Sequence, residues 1–166
     1  MLAALEGNPA QGLHHVAEAR REAGANAATV AALDLTEAGL LAQAGRSVEA
    51  LRMASRADAF YAAKGAPVDR GYSDCRLATV LLAAGNTAEA ERRARDGLRL
   101  SEEAGQAEPA LFCALAAWAA ARKTRSAGES AARREFEQRF AAVTATWSQA
   151  ARMQYEIRKD HRWFTN

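Results

Sequence analysis

The sequence predicts an all-α protein made of stacked pairs of antiparallel helices. Alanine, the best helix former, occurs 44 times among the 166 residues, whereas the strand-favouring residues Val, Ile, Phe and Tyr are scarce. A pair of leucines, a glycine-containing turn and a new helix recur together around Gly45 and Gly85, and a shorter copy surrounds Gly7. Each repeat of about 40 residues has room for two helices, so stacked helical hairpins are expected.

The first hairpin is incomplete at its start. Residues 1–6 have the pattern of the last turns of a helix, and Asn8 then caps a new helix over about 9–23. Pro9 suits the first helical position, because the N–H that it lacks would have no partner there. Gly24 is expected to end this helix.

Two complete hairpins follow, each with a first (A) and a second (B) helix. The first pairs residues 26–44 with residues 47–63, and the second pairs residues 69–84 with a helix from Asn86 to Gly105. Apolar residues at three- and four-residue steps give each helix a stripe that we expect to be buried.

We make three predictions for the B helix of the second hairpin. Asn86 and Glu89 have the spacing of a capping box. Gly97 costs about 1 kcal/mol of helix propensity, so a close approach of another helix is expected there. Four arginines are predicted to face outward as a solvated surface of internal ion pairs, which is favoured over a phosphate-binding patch because acidic residues alternate with them. They are Arg92, Arg93, Arg95 and Arg99.

The fourth unit departs from this pattern, so the chain divides into helical repeats over 1–128 and a C-terminal segment over 129–166. Its A helix, about 108–123, is nearly all apolar and should be buried on most sides. Residues 129 to about 160 are predicted to form one long helix that caps the hairpins or connects to another element. It carries a heptad-like apolar stripe, continued by Ala150 and Ile157, whose candidate homodimer seam is Phe136, Phe140, Val143 and Trp147.

The two complete hairpins resemble tetratricopeptide repeats, and the resemblance as a whole covers residues 1 to about 125. The motif's first tryptophan, second-helix phenylalanine and closing proline are absent, and the unit exceeds the motif's length of about 34 residues. It is therefore more similar to the longer tetratricopeptide-like repeats of bacterial regulators and of domains that precede signalling enzymes. The motif positions are Asp74, Leu77, Ala78, Leu81, Ala90, Ala94 and Gly97 in one unit, and Asp34, Glu37, Ala38, Leu41, Ala50, Ala54 and Ala57 in the other.

The resemblance implies a right-handed superhelix whose A helices line a concave groove. It favours a non-enzymatic scaffold that binds a peptide or protein segment. The alternative is a sensory or regulatory domain of a larger bacterial signalling or transcription-regulating protein, in which the last helix transmits ligand binding. For each groove residue, packing between hairpins is the competing interpretation. The residues that would line the groove are Leu35, Gly39, Gln43, Tyr72, Cys75, Thr79 and Cys113.

Charge and apolar content exclude several classes of partner. Residues 1–128 carry 15 basic and 15 acidic side chains and residues 129–166 carry 7 and 5, so the net charge of +2 argues against a nucleic-acid surface. The start lacks the basic and apolar regions of a secretory signal. The longest apolar run, 110–121, is too short to span a bilayer. A cytoplasmic location is the expectation.

The chain contains few residues suited to catalysis or metal binding. Cys75 and Cys113 lie in apolar helical patterns, so we expect buried, reduced thiols that approach each other across neighbouring helices, without a disulfide framework. His14 and His15 point about 100° apart on a helix and are expected on the surface rather than at a metal. With His161 distant and no orienting acid near the cysteines, no enzyme activity, metal or cofactor is predicted.

Overall fold

The computed structural model describes residues 8–145, 147 and 148, and within them the protein is all-α, as predicted, with seven helices and no strand. The helices are short and of similar length, which reflects the regular placement of turns in the sequence. They are α1 (Pro9–Ala23), α2 (Ala27–Gln43), α3 (Ser47–Lys64), α4 (Pro67–Ala83), α5 (Thr87–Glu103), α6 (Ala107–Lys123) and α7 (Glu129–Thr144). Residues 1–7, and with them the predicted end of a preceding helix, lie outside the described residues.

Helices that follow one another in sequence pack against each other, from α1 to α7. The A helices also contact one another, because α4 lies beside both α2 and α6. Small side chains such as Ala38, Ala78 and Ala116 fill the shared core, and this allows the helices to approach closely. No helix among the described residues combines the length and apolar content that a membrane span requires.

Glycine turns set the regular spacing of the helices. Gly45, Gly85 and Gly105 have φ angles of 76°, 81° and 66°, a conformation that costs a residue with a side chain but not a glycine. After Gly85, the N–H of Asn86 donates to the carbonyl of Leu81 at 2.9 Å, which satisfies one of the helix's last acceptors. The predicted stop at Gly24 is also confirmed, with φ of 57°.

One turn of the same kind lacks a glycine. Arg125, after α6, has φ of 49°, and the N–H of Ser126 donates to the carbonyl of Ala121 at 2.9 Å. The backbone therefore repeats the bonding that follows Gly85, but with a side chain in the left-handed region. Such a residue costs about 1–2 kcal/mol relative to a right-handed conformation.

The predicted helix caps have mixed outcomes. Asn8 caps α1 as expected, since its Oδ1 accepts from the N–H of Gln11 at 3.1 Å. The capping box of Asn86 and Glu89 is wrong, because Asn86 makes no side-chain cap bond. The carboxylate of Glu89 instead accepts from Arg92 at 2.9 Å, where a full positive charge is a stronger donor than a backbone N–H.

Gly97 marks a close approach of helices, as the sequence predicts. A Cβ at this position would lie 2.7 Å from the Sγ of Cys113 and 2.8 Å from the carbonyl oxygen of Gly71. These atoms belong to α6 and α4, so α5 is seated against both neighbours at this point.

The C-terminal helix is shorter than the one predicted. The helix α7 ends at Thr144, whose hydroxyl donates to the carbonyl of Phe140 at 2.8 Å and competes with the regular backbone bonding. The N–H of Trp147 then donates to the carbonyl of Thr144 at 3.1 Å in a turn. The predicted continuation to about residue 160, with Ala150 and Ile157, lies outside the described residues.

Candidate functional site: the A-helix face

The central helix α4 exposes a single narrow stripe. Between Gly71 and Leu82 every residue is buried except Tyr72, Arg76 and Thr79, which are partly exposed. These three follow one another at steps of four and three residues, so they lie on one side of the helix. The helices α3 and α5 cover the opposite side through the buried residues of α4.

The neighbouring A helices extend this stripe into a surface. On α2, Gly39 is partly exposed and Gln43 is exposed. The Arg76 Nη2 atom lies 3.1 Å from the point where a Cβ on Gly39 would stand. On α6, Phe112 is 49 % exposed, precedes Cys113, which faces α4, and also lines a groove between α6 and α7. We name this surface the A-helix face, and its residues are Gly39, Gln43, Tyr72, Arg76, Thr79 and Phe112.

Four residues predicted to line the groove lie on this face: Gly39, Gln43, Tyr72 and Thr79. The other three are corrected, because Leu35, Cys75 and Cys113 are only 1 %, 2 % and 0 % exposed. They point at a neighbouring helix, since Leu35 packs in a cluster with Ala31 and Ala57 while the cysteines meet between α4 and α6.

Sequence reasoning missed Arg76 and Phe112. Arg76 stands four residues after Tyr72 and three before Thr79, so the helical spacing places it on the same stripe. Cys75, the residue predicted to line the groove, points about 100° away from Arg76 around the helix, towards α6. On α6 the missed residue Phe112 stands one position before Cys113, so it also lies about 100° around its helix from the residue that was predicted.

Arg76 is the cation at the middle of this face. Within the part of the chain that the structure describes, no carboxylate pairs with its guanidinium, although the residue as a whole is partly buried. Arginines on the outer side of α5 are paired instead: Arg95 with Glu91 at 2.7 Å, and Arg99 with Glu103 at 2.8 Å. A partly buried cation without an anion is unfavourable, so an incoming carboxylate would satisfy it.

A disulfide lies directly beneath the face. Cys75 of α4 and Cys113 of α6 are bonded, with their Cα atoms 4.7 Å apart. The prediction that they approach across neighbouring helices is confirmed, whereas the prediction of reduced thiols is wrong. A separation of 38 residues, close to one hairpin period, places both at the same point of adjoining A helices.

Buried ion pairs on the other side of the A helices hold the hairpins together. Asp34 on α2 is 1 % exposed and accepts from Arg20 of α1 at 2.8 Å and from Arg56 of α3. Burial by itself raises the pKa of Asp34, but the bonds from Arg56 and Arg20 outweigh it and hold the pKa below its ordinary value. One carboxylate therefore joins three successive helices.

Asp74 occupies the same position one unit later. Arg93 of α5 donates to Asp74 at 2.7 Å and to Asp58 of α3 at 3.0 Å. Here burial raises the pKa of Asp74 above its ordinary value, and the bond from Arg93 only partly opposes it. The prediction that Arg93 faces outward is wrong, since its side chain is 25 % exposed and inserted between helices.

The remaining arginines on α5 form the internally paired surface that the sequence favours. Arg92 pairs with Glu89 and, at 3.6 Å, with Asp96. Together with the pairs of Arg95 and Arg99 described above, these bonds leave little positive charge for a phosphate group.

The histidines of α1 are on the surface, as expected. His14 and His15 each lie 3.3 Å from an oxygen of Glu18 and are exposed. Across residues 8–145, 147 and 148, no three His, Cys, Asp or Glu side chains come together in a way that could hold a metal ion. His161 lies outside this part of the chain.

The aromatic stripe of α7 faces α6. Phe136 stacks on Trp118 with ring centroids 5.4 Å apart, and Phe140 follows at 5.8 Å from Phe136. An apolar groove of about 500 Å³ lies between the two helices, with Val143 and Trp147 among its lining residues. The use of these residues as a homodimer seam stays a prediction.

No protein-family model, curated protein or solved structure matches the chain.

Proposed function

We propose that this protein is a non-enzymatic interaction module that binds an acidic segment of another protein across the A-helix face. The observation that carries the proposal is Arg76, a partly buried residue at the centre of the face whose guanidinium has no ion pair among the described residues. An Asp or Glu side chain of the partner would complete a charge-assisted, two-bond contact with it.

The residues around Arg76 suit an extended peptide. The amide of Gln43 and the hydroxyl of Tyr72 supply donors and acceptors for the peptide backbone. The Thr79 hydroxyl donates to the carbonyl of Cys75 at 3.2 Å and keeps acceptor capacity. Phe112, which is 49 % exposed, offers an apolar contact at the α6 edge of the face.

The arrangement of the A helices supports reading the chain as a tetratricopeptide-like array. In such an array the A helices lie side by side and line the inner surface of a right-handed superhelix. The contacts of α4 with both α2 and α6 support that geometry. On this proposal the face is the inner surface of the array.

A peptide array tests the proposal directly. Extended peptides that carry Asp or Glu should bind the full chain, and the same peptides with Asn or Gln should bind at least tenfold more weakly. Arg76→Gln should lose this preference, because a hydrogen bond between charged groups contributes about 1.5–3 kcal/mol.

Arg52→Gln is the matched control, since Arg52 is an exposed arginine on α3, away from the face. The control should bind as the unaltered protein does. Equal binding by Arg76→Gln and Arg52→Gln, in folded proteins, would remove Arg76 from the site.

A further inference from the structure

We propose that the Cys75–Cys113 disulfide is a redox control of the A-helix face: a dithiol reductant cleaves it, α4 and α6 move apart, and binding weakens. The last of these steps rests on the function proposed above. The first two concern the fold alone and are measured separately below.

The disulfide lies next to two contacts of the face, the central one and the one at its α6 edge. Cys75 immediately precedes Arg76 on α4, and Cys113 immediately follows Phe112 on α6. The covalent bond, with Cα atoms 4.7 Å apart, therefore fixes the separation of the cationic and apolar parts of the face. If the distance between the two cysteines increases, the distance that a bound peptide must span between Arg76 and Phe112 increases with it.

Reduction requires space that the closed structure does not offer. Two bonded sulfur atoms are about 2 Å apart, whereas unbonded heavy atoms rest at about 3.5–4.0 Å. The Cys113 sulfur cannot move towards α5, because α5 packs so closely there that a Cβ on Gly97 would lie 2.7 Å from this sulfur. Leu98 and Ala110 enclose the same cluster. The added separation is therefore taken up between α4 and α6.

The reduced state has a partner for one of its thiols. The Sγ of Cys75 lies 3.3 Å from the carbonyl oxygen of Pro109 on α6. Immediately after cleavage the Cys75 thiol can donate its proton to this oxygen, and the separation of α4 and α6 then opens both groups to water, so no buried donor is left unpaired.

The reaction is an ordinary thiol–disulfide exchange with a dithiol. One thiolate of the reductant attacks the Cys75 sulfur, the S–S bond breaks, and Cys113 leaves as a thiolate that takes up a proton. The second thiolate of the reductant then attacks the reductant's first sulfur, which is now bonded to Cys75. This step releases Cys75 as a thiolate, which is also protonated. Two electrons and two protons pass to the protein, and the dithiol becomes a disulfide.

Burial makes the exchange depend on opening of the helix pair. Cys75 and Cys113 are 2 % and 0 % exposed, so the reductant reaches them only when α4 and α6 separate transiently. A peptide bound across the face holds these helices together. By linkage, a peptide that prefers the oxidised protein by some factor must shift the reduction equilibrium by the same factor.

The test uses the full chain with dithiothreitol. Alkylation and mass spectrometry should find no free thiol before reduction and two afterwards. Amide hydrogen exchange in the middle of α4 and α6 should rise at least fivefold on reduction, with the far-ultraviolet circular dichroism unchanged. Affinity for the acidic peptide selected above should fall at least fivefold.

The control is the double variant Cys75→Ala with Cys113→Ala, whose exchange and affinity should not respond to dithiothreitol. Unchanged exchange in α4 and α6 of the reduced protein would overturn the proposal, as would complete unfolding, which would make the disulfide a structural brace. A chain that binds no acidic peptide in either state contradicts the proposed function and the last step, and the exchange rates then decide the first two.

Discussion

The guanidinium of Arg76 rests on Gly39 of the neighbouring A helix, with its Nη2 atom 3.1 Å from the point where a Cβ on Gly39 would stand. A glycine at this position leaves room for the planar group to lie against the backbone of α2. The contact joins two helices at the centre of the A-helix face. It also holds the cation in place without neutralising it.

Gly39→Ala should separate binding from stability. Replacing a mid-helix glycine by alanine stabilises a helix by roughly 0.5–1 kcal/mol. Among the described residues, the atoms that the new Cβ would meet outside its own helix backbone belong to the flexible side chain of Arg76. We expect urea unfolding to show unchanged or slightly higher stability. Affinity for acidic peptides should fall at least threefold because the guanidinium is displaced.

A double-mutant cycle is the control for this variant. In the Arg76→Gln background, Gly39→Ala should cause no further loss of affinity, because the group that it displaces is gone. Additive losses would mean that Gly39 acts independently of Arg76.

Gly97→Ala should have the opposite effect on stability. Its Cβ would lie 2.8 Å from the carbonyl oxygen of Gly71, a backbone atom that cannot move without shifting α4. Overpacking of this kind costs about 1–3 kcal/mol, and denaturant unfolding would measure it. A stability equal to that of the unaltered protein would show that α5 is not seated as closely as described.

Substitutions in two of the turns should change the free energy of unfolding in opposite directions. Gly85→Ala forces a side chain into a turn with φ of 81° and should lower the free energy of unfolding by about 1 kcal/mol. Arg125→Gly removes the same conformational cost at φ of 49°. Because glycine also gives the unfolded chain more entropy, the free energy of unfolding should rise by only roughly 0.5 kcal/mol. Thermal unfolding of both variants side by side checks the pair. Shifts of the same sign would contradict it.

Asp34 should stabilise the protein only when it is ionised. Its pKa is lower in the folded protein than its ordinary value of 3.8, so the unfolded chain binds the proton more tightly. The stabilisation is therefore present above about pH 3.8 and is lost as the pH falls through the folded pKa. We expect Asp34→Asn to lower the free energy of unfolding by about 2 kcal/mol at pH 7, and by less below pH 3.8.

Asp74 should show the reverse dependence on pH. Its pKa is raised above 3.8 in the folded protein, so here the folded chain binds the proton more tightly. The unaltered protein should gain stability relative to Asp74→Asn as the pH falls through the folded pKa towards 3.8. Denaturant unfolding of both variants from pH 7 to pH 3 measures the two trends. If the stability differences for Asp34→Asn and Asp74→Asn changed with pH in the same direction, pairing would not outweigh burial at Asp34 and fall short of it at Asp74, as described here.

Local patterns were sufficient to predict the helices, because alanine content and glycine or proline breaks act within a few residues. The face needed tertiary information. Cys75 and Arg76 are adjacent in sequence, and only the direction of α6 decides which of them is buried. Asp34 and Asp74, 40 positions apart, are recognised in the sequence as matching repeat positions, but the burial of Asp34 depends on arginines from two other helices. The end of α7 at Thr144 is likewise not marked by a glycine or proline.

The most direct test of the proposed face is nuclear magnetic resonance of the full chain during titration with an acidic peptide. The account predicts shifts of the Arg76 side-chain Nε–H and of the amides of Gly39 and Thr79, with Arg95 and Arg99 on α5 unchanged. Repeating the titration with the peptide's Asp and Glu replaced by Asn and Gln should abolish the Arg76 shift. Shifts confined to α5 or α7, with Arg76 unmoved, would contradict the A-helix face as the binding site.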